Sequence, residues 1–520
     1  MADVTGSQPP FGPVPPQKSN AERLAAERLG DMFGVPSRPS AARPVMMGPL
    51  VDASDDSDDP EGMPLPSASR GRGQNPAMLV PPPRVPANLK ETGLGIGNLA
   101  EFVLKELYVH GNMFGADIAR QLRLPFPILD EALRFLKDQR CVEVSQGDLL
   151  GRVSYRFSLT DMGRVRARES FENCRYVGPA PVTLEQYVEQ CRRQAVSGVS
   201  CNPQTIMQAF QGMILRKGLL DEIGPAVCSG RSIFVYGPPG NGKTMIAKGL
   251  GRYLNLYCGE IYVPYAIQTE NSIITVYDPI LHKTTDDAEQ HATINSGNIS
   301  SPSSGNGGGS LVVGNGVADP RWRRIRRPVV VTGGELNLEM LELQYSKVSQ
   351  FYAAPLHIKA NGGVFLIDDF GRQLVSPRDL LNRWILPLEE RIDYLTLATG
   401  RKFSVPFEQL TIFSTNLDPG DLVDDAFLRR IRHKIKIEAP TRPLFTEIFK
   451  LACDQRQIPY REEAVEYLYQ NHYDRGRLPR SSDPRDLLEI VVAICRFKNE
   501  SIQVSEKLVA DAAARFFYTG

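Results

Sequence analysis

The stretch that decides the fold of this chain lies near its middle and reads Gly237-Pro238-Pro239-Gly240-Asn241-Gly242-Lys243-Thr244. It follows a short apolar run, Ile233–Tyr236, and it leads into residues 245–250, which have a helical composition. The order is therefore strand, glycine-rich loop and helix. The stretch satisfies every position of the pattern G-x-x-x-x-G-K-[ST], which is typical of a phosphate-binding loop.

Each residue type in this loop suits phosphate binding. Glycines let the backbone fold so that several N–H groups point inward at phosphate oxygens. The start of the following helix adds a favourable dipole for an anion. Lys243 is expected to reach the β- and γ-phosphates of ATP, and the Thr244 hydroxyl is expected to bind Mg²⁺. The sequence thus predicts a site for ATP and Mg²⁺ to which all of residues 237–244 contribute.

A second motif lies downstream, where the apolar run Val364–Ile367 leads into Asp368 and Asp369. The carboxyl end of a strand in a parallel sheet lies beside the phosphate loop, so both acids are placed for chemistry on the phosphates. Asp368 is expected to hold the Mg²⁺ shell, and Asp369 to orient or deprotonate the attacking water. The alternative is a turn or a helix cap after the strand. The complete phosphate loop upstream favours the catalytic interpretation.

The composition is that of a globular protein of about three domains with one disordered part. The 520 residues carry 60 basic and 60 acidic side chains, so net charge predicts neither a nucleic-acid coat nor an acidic partner. The sequence predicts no membrane span and no signal peptide. Its eight cysteines are scattered without metal or redox spacing, so we expect a protein of the reducing cytoplasm.

Composition and periodicity divide the chain into five stretches. They are a disordered tail rich in Pro, Ser and Asp (1–92), a small α+β domain (94–176), a linker with a packing helix (177–225), an α/β nucleotide domain (226–440) and a helical lid domain (441–520). The packing helix is expected over Thr205–Leu220. A flexible insertion, about 266–345, is expected to interrupt the nucleotide domain.

The pattern of residues 94–176 is helix, helix, turn, helix and hairpin, which resembles a winged helix-turn-helix module. Such a module binds DNA through its third helix, here Ile128–Gln139. That helix carries Arg134 and Lys137 beside several acidic residues, whereas a groove-reading helix is usually more basic. A protein-docking or oligomer-stabilising role is therefore favoured, and DNA binding stays open.

Five apolar runs are predicted to be buried strands of a largely parallel sheet: Ser232–Tyr236, Glu260–Tyr265, Val364–Ile367, Leu410–Thr415 and Lys434–Ile437. A basic segment, residues 321–327, lies inside the insertion. It could bind phosphate or an acidic polypeptide, but a solvated strand beside the flexible loop is the favoured interpretation.

With both motifs in place, the chain resembles an AAA+ ATPase over residues 205–520. Asn416 ends an apolar strand where that family has its sensor 1 residue, which positions the attacking water. Arg429 and Arg430 resemble the arginine finger, which acts on the nucleotide of the neighbouring subunit, and spacing does not choose between them. Arg485 resembles the sensor 2 arginine of the lid. Each of these arginines could instead form a surface salt bridge.

Residues 391–407 alternate like a hairpin before Asn416, and residues 360–368 are similar to the MoxR and magnesium-chelatase branch of the AAA+ family. The resemblance implies a hexameric ring that acts as a remodelling or insertion chaperone. The family usually has Asp-Glu where this chain has Asp368 and Asp369. An Asp carboxylate is one methylene shorter and stands farther from the water, which predicts slow hydrolysis or a nucleotide-gated switch.

The predicted fold is therefore α/β: a P-loop NTPase of the AAA+ type with a parallel sheet core and a C-terminal helical lid, preceded by a small winged-helix α+β domain and a disordered tail. The predicted function is that of a Mg²⁺-dependent ATPase that forms a homo-oligomeric ring and remodels a protein client. Two alternatives stay open. One is a nucleotide-dependent regulator that binds DNA through residues 94–176, and the other is an ATP-bound scaffold with slow turnover.

Overall fold

The computed structural model describes residues 80–146, 152–197, 199, 201–285, 318–422 and 424–517. Residues 1–79 of the predicted tail and the glycine-rich stretch 300–310 of the predicted insertion lie outside the described residues. Among the helices of the described residues, none combines the length and the apolar character needed to span a membrane.

The last part of the predicted tail, residues 80–92, lies against the rest of the chain. The Pro81 carbonyl accepts a hydrogen bond from Gln190 Nε2 at 3.2 Å. A short helix, α1 (Leu89–Thr92), follows. The predicted tail boundary at residue 92 is therefore too late. A proline-rich composition predicts no core of its own, but proline carbonyls still accept hydrogen bonds from neighbouring elements.

Four helices and a small antiparallel sheet make up most of residues 94–176. The elements are α2 (Ile96–His110), β1 (Met113–Phe114), α3 (Gly115–Leu122), α4 (Phe126–Asp138), β2 (Val142–Gln146), β3 (Arg156–Leu159) and α5 (Asp161–Asn173). The strand order is β1-β3-β2. Leu99, Leu133 and Phe157 are buried in the shared core. At Gly163 in α5 a Cβ would lie 1.8 Å from the Cys141 carbonyl oxygen, so this close approach needs glycine.

The predicted linker contributes a strand and three helices. They are β4 (Val182–Thr183), α6 (Leu184–Arg193), α7 (Pro203–Ala209) and α8 (Leu219–Ser229). The single helix predicted over Thr205–Leu220 is wrong, because the chain leaves α7 at Phe210 and re-enters a helix only at Leu219. Between them Gly212 and Gly218 have positive φ angles of 86° and 82°, a conformation that ends a right-handed helix.

The nucleotide domain begins with β5 (Ile233–Tyr236), α9 (Lys243–Tyr257), β6 (Ile261–Pro264), β7 (Ala266–Thr269), β8 (Ser272–Thr275) and β9 (Trp322–Ile325). It continues with β10 (Val329–Thr332), β11 (Gln344–Ser346), β12 (Phe351–Ala353), α10 (Leu356–Lys359), β13 (Val364–Ile367), α11 (Pro377–Arg383) and α12 (Ile385–Glu390). It ends with β14 (Ile392–Thr396), β15 (Lys402–Pro406), β16 (Leu410–Thr415), α13 (Pro419–Leu422), α14 (Asp425–Leu428) and β17 (His433–Lys436).

Five of these strands form the central sheet in the order β10-β13-β16-β5-β17, and every neighbouring pair is parallel. The carboxyl ends of β5, β13 and β16 therefore meet at one edge. The prediction that Glu260–Tyr265 belongs to this sheet is wrong: this run forms β6, which pairs antiparallel with β9 in a separate sheet. β10 takes the edge position instead. Both runs are apolar, and periodicity alone does not say which neighbour a strand pairs with.

Apolar side chains cover both faces of the central sheet, because alternate residues of each strand point to opposite faces. One face packs against α9, which buries Leu250 and Leu254 against Leu366 and other strand residues. The opposite face packs Phe365 against Trp384. Burial on both sides is typical of a parallel sheet with helices on each face, and it fixes the strand ends that carry the two motifs.

The predicted flexible insertion, about 266–345, contains ordered β structure on both sides of residues 286–317, which lie outside the described residues. The strands β11, β12, β8, β7 and β4 form a second sheet in that order. The prediction of flexibility is therefore wrong for the described flanks. The Gly- and Ser-rich composition that motivates it is confined to the middle of the insertion.

The basic segment 321–327, predicted to be a solvated strand, is buried at both ends. Arg321 is 1% exposed and pairs with Asp319, with 2.8 Å between Nη2 and Oδ2. Arg327 is 4% exposed, and burial lowers its pKa to about 10, so it stays charged at neutral pH. Its guanidinium donates at 2.6–3.0 Å to four backbone carbonyls, those of Gln194, Cys258, Gly259 and Gly362. Arg327 thus joins α6, α9 and the start of β13.

Replacing Arg327 with Met is expected to lower the free energy of unfolding by about 3–5 kcal/mol, because it leaves these buried carbonyls without donors. The exposed neighbour Arg326 provides the matched control, and Arg326→Met is expected to change stability by less than about 0.5 kcal/mol. Urea unfolding of the two variants measures the difference. Equal midpoints would contradict the structural role given to Arg327.

The C-terminal residues are helical, as predicted. The elements are α15 (Arg442–Gln455), α16 (Glu462–Leu468), a π-helical turn (Tyr469–Tyr473), α17 (Asp483–Lys498) and α18 (Glu506–Phe516). Phe445, Leu488 and Val509 are buried in their common core. A proline lies in the first turn of α15 and supplies a local start signal for this helix.

Candidate active site

The phosphate-loop sequence occupies the turn between β5 and α9, at the carboxyl edge of the central sheet. Gly237, Gly240 and Gly242 have φ angles of 139°, 79° and 84°, which side chains with a Cβ rarely adopt. A Cβ on Gly237 would also lie 2.0 Å from the Ile437 carbonyl oxygen. The glycines are therefore required by the loop's shape and by its contact with the end of β17.

Lys243 is directed into the loop rather than into solvent. Its side chain is buried, and its ammonium donates to the carbonyls of Gly237 and Pro238, both at 2.9 Å. It also donates to Asn416 Oδ1 at 2.6 Å. Burial lowers the pKa of Lys243, and the nearby Asp368 and Asp369 carboxylates oppose that shift. The structure therefore brings the predicted phosphate-binding cation and the predicted sensor residue into contact.

Thr244 and Asp368 are also in contact, with the Thr244 hydroxyl donating to Asp368 Oδ2 at 2.5 Å. The Asp368 backbone is fixed on both sides. Its N–H donates to the Thr332 carbonyl at 2.7 Å, and its carbonyl accepts from Gln373 Nε2 at 2.9 Å. Two oxygen groups from separate motifs thus meet at one point, as the sequence predicts for a Mg²⁺ site.

Asp369 is exposed and lies beside Asn416, whose Nδ2 donates to Asp369 Oδ1 at 2.8 Å. Its φ angle is 49°, in the left-handed region, where Asp and Asn are more common than Glu. The next residue, Phe370, donates its N–H to the Ser414 carbonyl at 2.7 Å and so returns the chain to the sheet. The backbone conformation supplies a reason for Asp at this position that the sequence did not reveal.

These residues fit ATP with Mg²⁺. The Thr244 hydroxyl and the Asp368 carboxylate are hard oxygen ligands of the kind that Mg²⁺ takes. The start of α9 and the Lys243 ammonium present positive charge to the same edge of the sheet. Lys243, Asn416 and Asp369 form one hydrogen-bonded chain from the phosphate loop to the exposed carboxylate.

The structure distinguishes Arg429 from Arg430, which the sequence could not. Arg430 Nε pairs with Glu389 Oε1 at 2.7 Å, and the Arg430 side chain is 19% exposed. Arg429 is exposed, and among the described residues its side chain makes no hydrogen bond or ion pair. Arg429 is therefore the arginine that can reach a second molecule without breaking an existing ion pair.

Arg485, the predicted sensor 2 residue, is 67% exposed and pairs with its neighbour Asp486 at 3.0 Å. Hydrogen bonds to the phosphate loop come instead from the segment just before α17. The Ser481 N–H donates to Asn241 Oδ1 at 2.9 Å, and the Ser482 N–H donates to the Gly240 carbonyl at 2.9 Å. These contacts could not be predicted from the sequence, because every non-proline residue carries a backbone N–H and the residue type does not show which of them bonds to the loop.

Comparisons with known proteins match one family model and several solved structures. A family described as "Domain of unknown function (DUF8689)" matches residues 441–515. A search of the curated proteins finds no match. Among solved structures, NtrX from Brucella abortus in complex with ADP is 12% identical, with 59% of this chain and 57% of that chain covered and a TM-score of 0.33. The chain thus spans little more than half of NtrX.

Two structures from Thermotoga maritima are similar at the same level. A RuvB mutant is 12% identical, with 58% of this chain and 71% of that chain covered and a TM-score of 0.32. Domain III of the replication initiation protein DnaA is 14% identical, with 61% and 98% covered and a TM-score of 0.30.

The parallel order of the central strands, the phosphate loop after β5 and the carboxylates after β13 define an α/β fold of the P-loop type.

Proposed function

We propose that this protein binds and hydrolyses ATP. The observation that carries the proposal is the contact between two separate motifs: Thr244 is hydrogen-bonded to Asp368, Lys243 to Asn416, and Asn416 to Asp369. Chance matches to a short pattern do not bring a distant second motif into such contact. Asp369, the exposed carboxylate that accepts the hydrogen bond from Asn416, is placed to activate a water molecule.

In this proposal the loop amides and Lys243 hold the phosphates, and Thr244 and Asp368 hold Mg²⁺. When bound, Mg²⁺ would neutralise charge on the phosphate oxygens. Asp369 accepts a proton from the attacking water or orients it, and Asn416 holds the Asp369 carboxylate in place through the 2.8 Å hydrogen bond. Lys243, which touches Asn416, links the positions of the phosphates and of this carboxylate.

We further propose that the active form is a homo-oligomeric ring that remodels a protein client. Arg429, exposed and unpaired among the described residues, is the candidate for completing the site of a neighbouring subunit. The antiparallel pair β14–β15, which precedes β16, matches the hairpin expected from the resemblance to the MoxR and magnesium-chelatase branch. The same resemblance implies a hexameric ring and a client that is a protein.

DNA binding through residues 94–176 is less well supported. The acidic Asp130 pairs with both Arg134 of α4 and Arg152 of the hairpin. One carboxylate therefore pairs with two of the cations of this module and lowers the net positive charge that they would present to DNA. A protein-docking role for residues 94–176 agrees better with that pairing.

ATP turnover per subunit, measured on the full chain over a wide range of protein concentration, tests the proposal. A specific rate that rises steeply with concentration and then levels off is expected, because the site would be completed between subunits. Lys243→Ala is expected to abolish both binding and turnover. Wild-type protein that neither binds nor hydrolyses ATP would overturn the proposed function.

A further inference from the structure

The phosphate loop makes a contact that phosphate binding alone does not require. Asn241 lies at a variable position of the loop pattern, and its side chain is 7% exposed. Its Oδ1 accepts the Ser481 N–H at 2.9 Å, while the carbonyl of the preceding Gly240 accepts the Ser482 N–H at the same distance. Two successive residues of the loop are therefore bonded to two successive residues of the C-terminal part.

The contact is also tightly packed. A Cβ on Gly240 would lie 2.8 Å from Ser482 Oγ and 3.3 Å from Arg480 Cδ. There is thus no room for a methyl group between Gly240 and the side chains of Arg480 and Ser482.

A buried Tyr–Asp pair fixes the segment from its other side. Asp483 is 0% exposed, and its Oδ2 accepts the Tyr473 hydroxyl at 2.9 Å and the Arg480 N–H at 3.0 Å. Tyr473 belongs to the π-helical turn Tyr469–Tyr473, a rare geometry that is often found at functional sites. The hydrogen bonds run without a break from Tyr473 through Asp483 to the segment that touches the phosphate loop.

We propose that Asn241 is a positioning residue that couples the phosphate loop to the C-terminal helices, and that the Tyr473–Asp483 pair holds the segment Arg480–Ser482 against the loop. The proposal rests on the proposed ATP site and adds its regulation. Displacement of the segment would change nucleotide affinity, and nucleotide binding would change the protection of the segment by the same free energy, because coupling between two sites is reciprocal.

The test compares four full-length proteins: wild type, Asn241→Ala, Tyr473→Phe and Tyr469→Phe. Tyr469 is the matched control, since it lies in the same turn, is equally buried at 6% exposed, and has a hydroxyl without a hydrogen-bond partner among the described residues. Amide hydrogen exchange at residues 480–483 and the affinity for a fluorescent ATP analogue with Mg²⁺ are measured for each.

Tyr473→Phe and Asn241→Ala are expected to speed exchange at 480–483 and to weaken analogue binding by roughly two- to tenfold, the effect of losing one hydrogen bond. Tyr469→Phe is expected to match wild type. In wild type the analogue slows exchange at 480–483, and in Asn241→Ala this response is lost. If Asn241 had only a structural role, the analogue would slow exchange at 480–483 in Asn241→Ala as much as in wild type.

Two failures are distinguishable. Wild-type protein that does not bind the analogue would overturn the proposed function, and the coupling with it. Intact binding, with equal exchange at 480–483 in all four proteins and no response to the analogue, would overturn the coupling alone.

Discussion

Arg429→Ala is expected to lower ATP turnover by roughly a thousandfold or more, the effect of removing a cation that stabilises charge on a transferring phosphoryl group. Arg430→Ala is expected to lower it by less than about tenfold, because Arg430 already pairs with Glu389 within its own chain. The two residues are adjacent, so the comparison isolates the ability of each side chain to reach another subunit. Steady-state ATP turnover at a concentration that saturates assembly measures both effects.

Mixing subunits provides the sharper form of this experiment. The Lys243→Ala subunit has a defective phosphate loop but an intact Arg429. The Arg429→Ala subunit has an intact phosphate loop but lacks the arginine. In a random equal mixture the two inactive variants are expected to regain about half of the wild-type rate per intact loop, or about a quarter per subunit, since about half of the intact loops face an intact Arg429. No recovery, with assembly demonstrated, would contradict action between subunits.

Asp369→Asn is expected to lower ATP turnover by about a hundred- to ten-thousandfold while leaving ATP affinity within about twofold. The substitution removes the negative charge but keeps Oδ1, the atom that accepts the Asn416 hydrogen bond. Asn also tolerates the positive φ of 49° at this position, so folding is expected to be unchanged. The loss therefore reports the chemical role of the carboxylate. Single-turnover hydrolysis and equilibrium ATP binding separate the two quantities.

Asp421→Asn is the control for this change, because Asp421 is an exposed carboxylate outside the contacts of the site. Its turnover is expected to equal that of wild type. If Asp369→Asn kept wild-type turnover, Asp369 would not be the group that activates water. If it lost ATP affinity as well, its role would be structural.

The two motifs were predictable because each is set by local sequence. A phosphate loop needs glycines, Lys243 and Thr244 at fixed spacing, and a buried strand shows its acids only at its end, as at Asp368. The C-terminal helices were predictable for the same reason, since the 3.6-residue period and the proline in the first turn are local signals. The position of Asn416 at the end of its strand was predicted from the family resemblance, but its contact with Lys243 was seen only in the tertiary structure.

What the sequence could not decide are the properties that depend on neighbours distant in the chain. Glu260–Tyr265 was predicted to be a strand of the central sheet, but the tertiary structure places it in another sheet and puts Val329–Thr332, which was not predicted, in the central one. The charge of Arg327 predicts exposure, and four carbonyls from separate segments reverse that prediction.

The same reason applies within the site. Arg429 and Arg430 are equivalent in sequence and differ only because Glu389 lies beside one of them. The bonds from residues 481 and 482 to the loop are made by backbone N–H groups, which every non-proline residue carries. Sequence determined the chemistry of the groups, and the tertiary structure determined their partners, because pairing depends on distances that no local pattern encodes.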